Sequence, residues 1–598
     1  MTKIKTRKEM DPHFTWDLGN LYQNDEHWEN DYTELKNQLN NITIYKGKLN
    51  ESGETLLSCF NETSRQEEKM GLLYMYANLK HDEDSNNPVY QAMTSRAQNL
   101  LVALSTVTSF ISPEIISIDQ DRLNNFITNT PGLQVYKHLF DNLQRESNYI
   151  LSQEKEQILA MVSEVTSAPS SIFSMLNNAD IKFEKVTDSI GNKKDLTHSL
   201  YANYLESQDR TLRENTFNSF SDSYINQKNT IAEIYNYSVK KDVFFSKVRG
   251  YSSSLEASLS SDNIPVSIYK NLINTVNSKL HLLHRYMDIR KKILNIKDLQ
   301  MYDLNVPLTE NVNTDISYEK AKSLILEGLS PLGEDYVKNL NKAFKNKWID
   351  VYENKFKRPG AYSSGTYGAH PFILMNYSNK VKDMFTLSHE LGHALHSYYT
   401  FKTQPFVYGG YTIFLAEIAS TINESLLMDH LLKTTKDTVM GNYLLNYFIE
   451  QFRGILFRQT MFAEFEMITH EMSENGEALT TDSLSKIYKN LVIKYYGPGV
   501  IVNEKVSFEW SRIPHFYRAF YVFQYATGFS CAIALSKKIL KEGEVARKKY
   551  ITLLKSGSSD YSIKLLKNCG IDMTSPKPIE DALSVFKDLL DKLEEANK

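Results

Sequence analysis

Apolar positions along the chain recur mainly at helical spacing. In EEKMGLLYMYANLK, Leu72, Met75, Tyr76 and Leu79 fall at i, i+3, i+4 and i+7, one face of a helix. DSNNPVY interrupts this pattern and places Pro88 to open the next helix, where its missing N–H does no harm. That helix is expected to run toward Phe110 and stop before Ser112-Pro113. In DIKFEKVTDSIGNKKDLTHS, residues 180–199, the period changes. Ile181 and Phe183 alternate with charged residues, Gly191-Asn192 supplies a turn, and the alternation resumes from Lys193 to Leu196. A hairpin is predicted there, with a boundary between an N-terminal helical domain, 1–190, and the remainder, 191–598.

Helical spacing returns from 201 to 348. The chain then changes character at RPGAYSSGTYGAHPFILMNYS, 358–378, a Gly/Pro/Ser/Tyr loop followed by the strand-like PFILMNY. A helix is expected just after it, with Asn376 to Asn379 as the capping region. Helices dominate after residue 400, broken at YYGPGV (495–500) and GSSD (557–560). The predicted class is mostly α, with a small β element preceding the helix that starts near residue 380.

Composition supports this reading: 24 glycines and 15 prolines in 598 residues are few breakers, and 41% hydrophobic content can bury a large core. Lys plus Arg is 68 against 72 for Asp plus Glu, and a net charge of −4 gives no pull toward nucleic acid or anionic lipid. The run KNKWIDVYENKFKR, 345–358, interleaves bases with acids and aromatics and reads as a solvated helix face. Cys59, Cys531 and Cys569 lie far apart with no C-x-x-C, so neither a disulfide framework nor a thiolate zinc site is indicated. MTKIKTRKEMDPHFTWDLGN lacks an apolar segment, and LVALSTVTSFI (101–111) is short and rich in Ser and Thr for a bilayer span. A soluble, cytoplasmic chain is expected, with neither nucleic acid nor membrane as partner and no signal of oligomeric state.

The chemistry concentrates in FTLSHELGHALHSYY, 385–399. His389 and His393 are four apart, about 400° of rotation, so both imidazoles leave one face roughly a turn apart. Two nitrogens at that spacing can reach one tetrahedral zinc ion at about 2.0–2.1 Å. Glu390 can lean toward the open coordination position and accept a proton from the water there. Gly392 costs the helix about 1 kcal/mol relative to alanine, which argues for a neighbour approaching closely. His396 shares the face of His389 but lies ~10 Å along the axis, so one ion cannot bind both. Ala-Leu-His-Ser follows His393, with no helix-breaking glycine to bring His396 back. His396 therefore reads as a supporting or packing residue. A third ligand on a following helix is available in TIFLAEIASTINESLLMDH, where Glu417 and Glu424 are seven apart. Glutamates on a helix usually face solvent, but these sit among Ala, Ile and Leu and are expected to point inward. Glu424 can then hold a ligand histidine in place.

HELGHALH followed by FLAEIASTINE resembles the M3 family of zinc metallopeptidases, the thimet oligopeptidase type, on its bacterial oligoendopeptidase F branch. FTWDLGNLY, RPGAYSSGTYGAHPFILMNY, FRQTMFAEFE (457–466) and HFYRAFYVFQYATG (515–528) extend the likeness over nearly the whole chain. The resemblance implies two helical parts flanking a deep channel, with 191–598 as the catalytic part. It implies one zinc ion per chain held by His389, His393 and Glu417, with Glu390 as general base. It further implies that His515, Tyr521 and Tyr525 stabilise the oxyanion formed during amide hydrolysis. PFILMNY is expected to hydrogen-bond an extended peptide backbone by adding it to a sheet. The expected activity is endopeptidase cleavage of short peptides. A helical zinc carboxypeptidase, or a non-catalytic peptide-binding protein with structural zinc, are the alternatives.

Overall fold

Side-chain caps set the helix boundaries near the N-terminus. The computed structural model describes residues 4–309, 312 and 315–597. Ser52 Oγ accepts the Thr55 N–H at 3.2 Å and starts the helix Gly53–Glu83. Asn87 accepts the Val89 N–H at 3.0 Å and starts Pro88–Thr108, with Pro88 in the first turn. Leu73, Met75, Tyr76, Ala77 and Leu79 are buried while Leu72 is only half-buried, so the stripe is wider than one face. The reason is packing: Gly53–Glu83 lies against both Asp25–Gln38 and Pro88–Thr108, and Trp28 Nε1 donates to Leu73 O at 2.9 Å. The helix opened by Pro88 ends at Thr108, before Ser112-Pro113 as expected, and Ser112-Pro113 lies in the first turn of a new helix, Ile111–Ser117, where no intrahelical N–H is required.

Two helical stretches, Pro88–Ser117 and Glu154–Asp180, reach the length and mean hydropathy of a bilayer span. The first exceeds the short segment read from the sequence because two helices run nearly end to end. Its Met93, Ala97, Leu100 and Leu104 belong to the protein core.

Contacts divide the chain into two units. The first comprises Met1–Asn148, Thr314–His430 and Leu535–Gly570; the second comprises Tyr149–Asn313, Leu431–Ala534 and Ile571–Lys598. The boundary placed at 190/191 from the hairpin falls inside the second unit. The hairpin itself is short: β1 (Val186–Thr187) pairs antiparallel with β2 (Lys193–Lys194), Val186 opposite Lys194. Asp188 accepts the N–H groups of Ile190 and Asn192 at 3.2 and 2.8 Å, and Gly191 takes φ 90°. Ile181 and Phe183 stay outside the ladder, and the Phe183 ring stacks on Phe220 at 4.7 Å.

The first unit holds the other sheet, β3 (Ile349–Asp350), β4 (Tyr362–Ser364) and β5 (Phe372–Leu374), in the order β3-β5-β4. β3 runs parallel to β5 and β4 antiparallel. Residues 345–358 are therefore not a solvated helix face: Trp348, Ile349 and Val351 are buried. Lys357 Nζ meets Asp350 at 2.7 Å with 0% and 1% of the side chains exposed, and Arg7 reaches Asp350 at 2.6 Å. Burial pulls the Lys357 pKa down, opposed by Asp350. β5 has a neighbour on each side, so PFILMNY is the sheet's centre and not a free edge. The next helix begins at Val381, later than Asn376–Asn379. Asp383 accepts the N–H groups of Ser378 and Lys380 at 2.8 and 3.1 Å, and Asn379 at φ 62° turns the chain into the helix.

Removing one member of a buried ion pair leaves the other charge uncompensated. Lys357→Ala is expected to destabilise the fold by about 3 kcal/mol. Thermal unfolding reads this as a Tm several degrees lower, and an unchanged Tm would show that Arg7 suffices for Asp350.

Candidate metal centre

The site is built on two consecutive helices, the motif helix Val381–Thr403 and the acid helix that follows it, Ile413–Thr434, whose residues up to His430 lie in the first unit with the motif helix. They touch backbone to backbone at Gly392. A Cβ there would stand 2.5 Å from Ser420 Cα and 2.7 Å from Ala419 O, distances no side chain can occupy. Asn423, fully buried, locks the register: its Nδ2 donates to Ser388 O at 3.0 Å, and its Oδ1 accepts from Tyr336 OH at 2.8 Å.

This register brings three sequence-predicted residues together. His393 Nε2 and His389 Nε2 face one another at 3.1 Å, and Glu417 Oε2 lies 3.6 Å from His389 Nε2. One ligand atom from each of the three falls within 4.8 Å of the others. Bonds of about 2.0–2.1 Å to a tetrahedral ion put ligand atoms about 3.3 Å apart, so the three donors fit a zinc-sized cation. Glu424 Oε1 accepts from His389 Nδ1 at 2.6 Å, which leaves the Nε2 lone pair directed at His393 and Glu417.

The electrostatics match. Burial would depress the His389 pKa, but Glu424, Glu390 and Glu417 raise it to about 9. Burial, with His389 beside it, pushes His393 down to about 3 and keeps it neutral. Burial also pushes the Glu390 carboxyl up to about 7, opposed by His389 and the Ser363 backbone amide on β4. Three carboxylates thus surround two imidazoles in a desolvated niche, a charge imbalance that a divalent cation corrects.

His396 reaches no ligand atom. It is buried, its ring stacks on Tyr411 at 3.7 Å and 12°, and Tyr411 OH lies 2.7 Å from Ser397 Oγ. Burial pushes its pKa down to about 3.

His515, Tyr521 and Tyr525 belong to the second unit. Tyr521 and Tyr525 do not share a helix, because the helix starts at Phe523 and Phe520 takes the left-handed φ of 54°. The two hydroxyls nevertheless lie 3.4 Å apart, and the His515 and Tyr525 rings are 6.1 Å apart, edge to face. Arg518 sits over the Tyr521 ring at 3.9 Å. The turn is held by a residue the sequence reading passed over: Glu466, fully buried, accepts the Phe520 N–H at 3.0 Å. Burial pushes its carboxyl well above the usual range. A carboxylate flanked by Phe465 and Met467 in FAEFEM was the available signal, as was Asn423 beside Glu424.

Histidines and a glutamate from two helices locked at a glycine, beside a buried second glutamate, are the working parts of a helical metallopeptidase. Comparison with known proteins agrees. Residues 203–585 match Peptidase family M3, and residues 114–183 match Oligopeptidase F, the two meeting on either side of the β1–β2 hairpin. The chain is 45% identical over 593 residues to Oligopeptidase PepF of Bacillus subtilis, covering 99% of this chain and 88% of that protein. A crystal structure of oligoendopeptidase-F from Enterococcus faecium is 38% identical, with a TM-score of 0.74 over 96% of this chain and 99% of that one. A crystal structure from Chlamydophila abortus reaches a TM-score of 0.94 at 35% identity, covering 99% and 100%. The chain belongs to peptidase family M3 and is a metalloendopeptidase.

Two substitutions test the geometry. Gly392→Ala must separate the helices or strain them by about 1–3 kcal/mol. Zinc content per chain should fall well below that of the parent protein even where the variant folds, and full occupancy would contradict the close-approach argument. Glu424→Ala should keep the fold but weaken zinc binding about 10–100-fold, read by competition with a chelator. An unchanged affinity would show that His389 needs no partner.

Proposed function

We propose that this protein is a zinc-dependent endopeptidase of short peptides, with one zinc ion per chain held by His389, His393 and Glu417. The observation that carries the reading is the convergence of three ligand atoms within 4.8 Å beside the buried carboxyl of Glu390. A bound zinc ion supplies Lewis acidity toward water and toward the peptide carbonyl.

The chain's own groups do the rest. Glu424 fixes the His389 tautomer through the 2.6 Å contact at Nδ1. Glu390 takes the proton of the attacking water and returns it to the leaving amine nitrogen. Its burial keeps that proton transfer close to balanced, since the charged form gains little solvation. His515, Tyr521 and Tyr525 are assigned as the donors that meet the negative oxygen, a role worth several kcal/mol when the donors are fixed in advance. The Phe520–Glu466 hydrogen bond fixes the turn that carries Tyr521.

The extended substrate backbone is assigned to β4, the sheet edge whose Ser363 amide faces Glu390, in place of the central β5. Backbone pairing reads length and extension with little dependence on side chains. The Bacillus subtilis relative is named an oligopeptidase, which supports short peptides as substrates, and the cytoplasm is the peptide pool this reading implies.

Purified protein should contain about one zinc per chain. Glu390→Gln should retain that zinc and lose roughly a thousandfold in kcat. Internally quenched peptides blocked at both ends should be cleaved while casein is spared. Hydrolysis confined to substrates with a free C-terminus would replace this reading with a carboxypeptidase, and zinc without hydrolysis would leave a structural site.

A further inference from the structure

The second unit contains a cavity of about 340 Å³ that none of the residues discussed above for metal or substrate lines. It opens between the helices His198–Leu205 and Arg210–Ile225 on one side and the 3-10 segment Glu504–Arg512 on the other. Arg458, from the FRQTMFAEFE stretch, also reaches it.

Its charge is unbalanced. Arg453, Arg458, Lys505 and Arg512 line the cavity, and Glu509 is the one carboxylate among the lining residues. Glu509 is shared: Arg458 Nη2 donates to it at 2.6 Å, Arg512 Nη2 donates to the same oxygen, and Tyr488 OH donates to the other at 2.8 Å. Burial opposes its ionisation, yet Arg458 and Arg512 hold it at about 2. Behind the wall, Glu450 is likewise shared, by Arg453 at 2.7 Å and Arg290 at 3.1 Å. Lys505 has Asp222 at 2.7 Å. Five cations therefore face three carboxylates, and a partly desolvated excess of positive charge is unfavourable without a counterion. Among the described residues Arg458 and Arg512 each use only Nη2 in hydrogen bonds, which leaves Nε and Nη1 as donors.

Much of the remaining wall is aromatic. Tyr201 and Phe220 stack at 3.9 Å, the Arg512 guanidinium lies 5.5 and 5.9 Å from their ring centres, and Phe217 and Phe508 also line the cavity, beside aliphatic residues such as Leu205 and Leu304. Guanidinium forks match two-oxygen anions, and aromatic faces match a flat ring. The volume is at the lower end of small-molecule sites, roughly 300–1,000 Å³.

We propose that this cavity binds a small organic anion in which a phosphate or carboxylate is joined to a flat ring. A mononucleotide and a short peptide ending in an aromatic residue share that chemistry.

Calorimetric titration of the full chain separates the two. The probes are adenosine 5′-monophosphate and glycyl-phenylalanine, with adenosine and glycyl-phenylalanine amide as uncharged controls. At least one anion should bind about tenfold or more tighter than its control, and Arg458→Gln should weaken that binding about tenfold, with hydrolysis of quenched peptides retained. Binding of adenosine 5′-monophosphate alone assigns a nucleotide, and binding of the dipeptide alone assigns a peptide terminus. Should Arg458→Gln fail to fold, Lys505→Gln, a third exposed, is the substitute and should weaken binding about threefold. Anions that bind no better than their controls, or binding indifferent to the folded variant, overturn the proposal.

Discussion

The backbone contact at Gly392 is the constraint on which the candidate metal centre depends. Two helices ordinarily pack about 8–10 Å apart through interleaved side chains. Here the motif helix and the acid helix close past side-chain thickness at one point, with the position of a Cβ lying 2.5 Å from Ser420 Cα. That approach lets a glutamate side chain, only three bonds beyond its Cβ, reach an imidazole on the neighbouring helix. Asn423 then fixes the sliding coordinate by bonding Ser388 O and Tyr336 OH, so that Glu417 and Glu424 flank His389 rather than miss it by a turn.

Charge follows from that register. Each group in the niche is costly in isolation: buried imidazoles, buried carboxylates, two ring nitrogens 3.1 Å apart. Together they form one arrangement in which opposed shifts have a common remedy, since a divalent cation lets His393 stay neutral and balances the carboxylates. The same logic separates His396, which shares the helix face yet sits under Tyr411 and stays neutral because nothing charged meets it. Glu466 is the corresponding case in the second unit: a buried carboxyl whose use is to accept the Phe520 N–H where the backbone is left-handed.

Not every cation-rich stretch behaves as composition suggests. Residues 345–358 look like solvated helix surface by residue type, but Trp348 and Ile349 draw the segment into the core as β3, and Lys357 follows because Asp350 and nearby carbonyls satisfy it. PFILMNY looks like an available strand, yet its unbroken apolar run is the signature of a strand covered on both sides. Of the two edge strands, β4 is the polar Tyr362–Ser364, whose short length carries little periodic signal.

What the sequence determined by itself were the features set by local spacing: the helical class, the paired imidazoles four residues apart, the glycine between them, and the two glutamates seven apart on the next helix. These survive because helical geometry fixes relative directions within a segment from residue number alone. What only the tertiary structure decided were the choices between segments. Among these are the two-residue length of the hairpin strands, the division of the chain into units built from non-contiguous stretches, and the start of the Tyr525 helix after Tyr521. The register of the acid helix against the motif helix belongs with them. Each depends on which distant surface a segment meets, and no period along the chain encodes that partner.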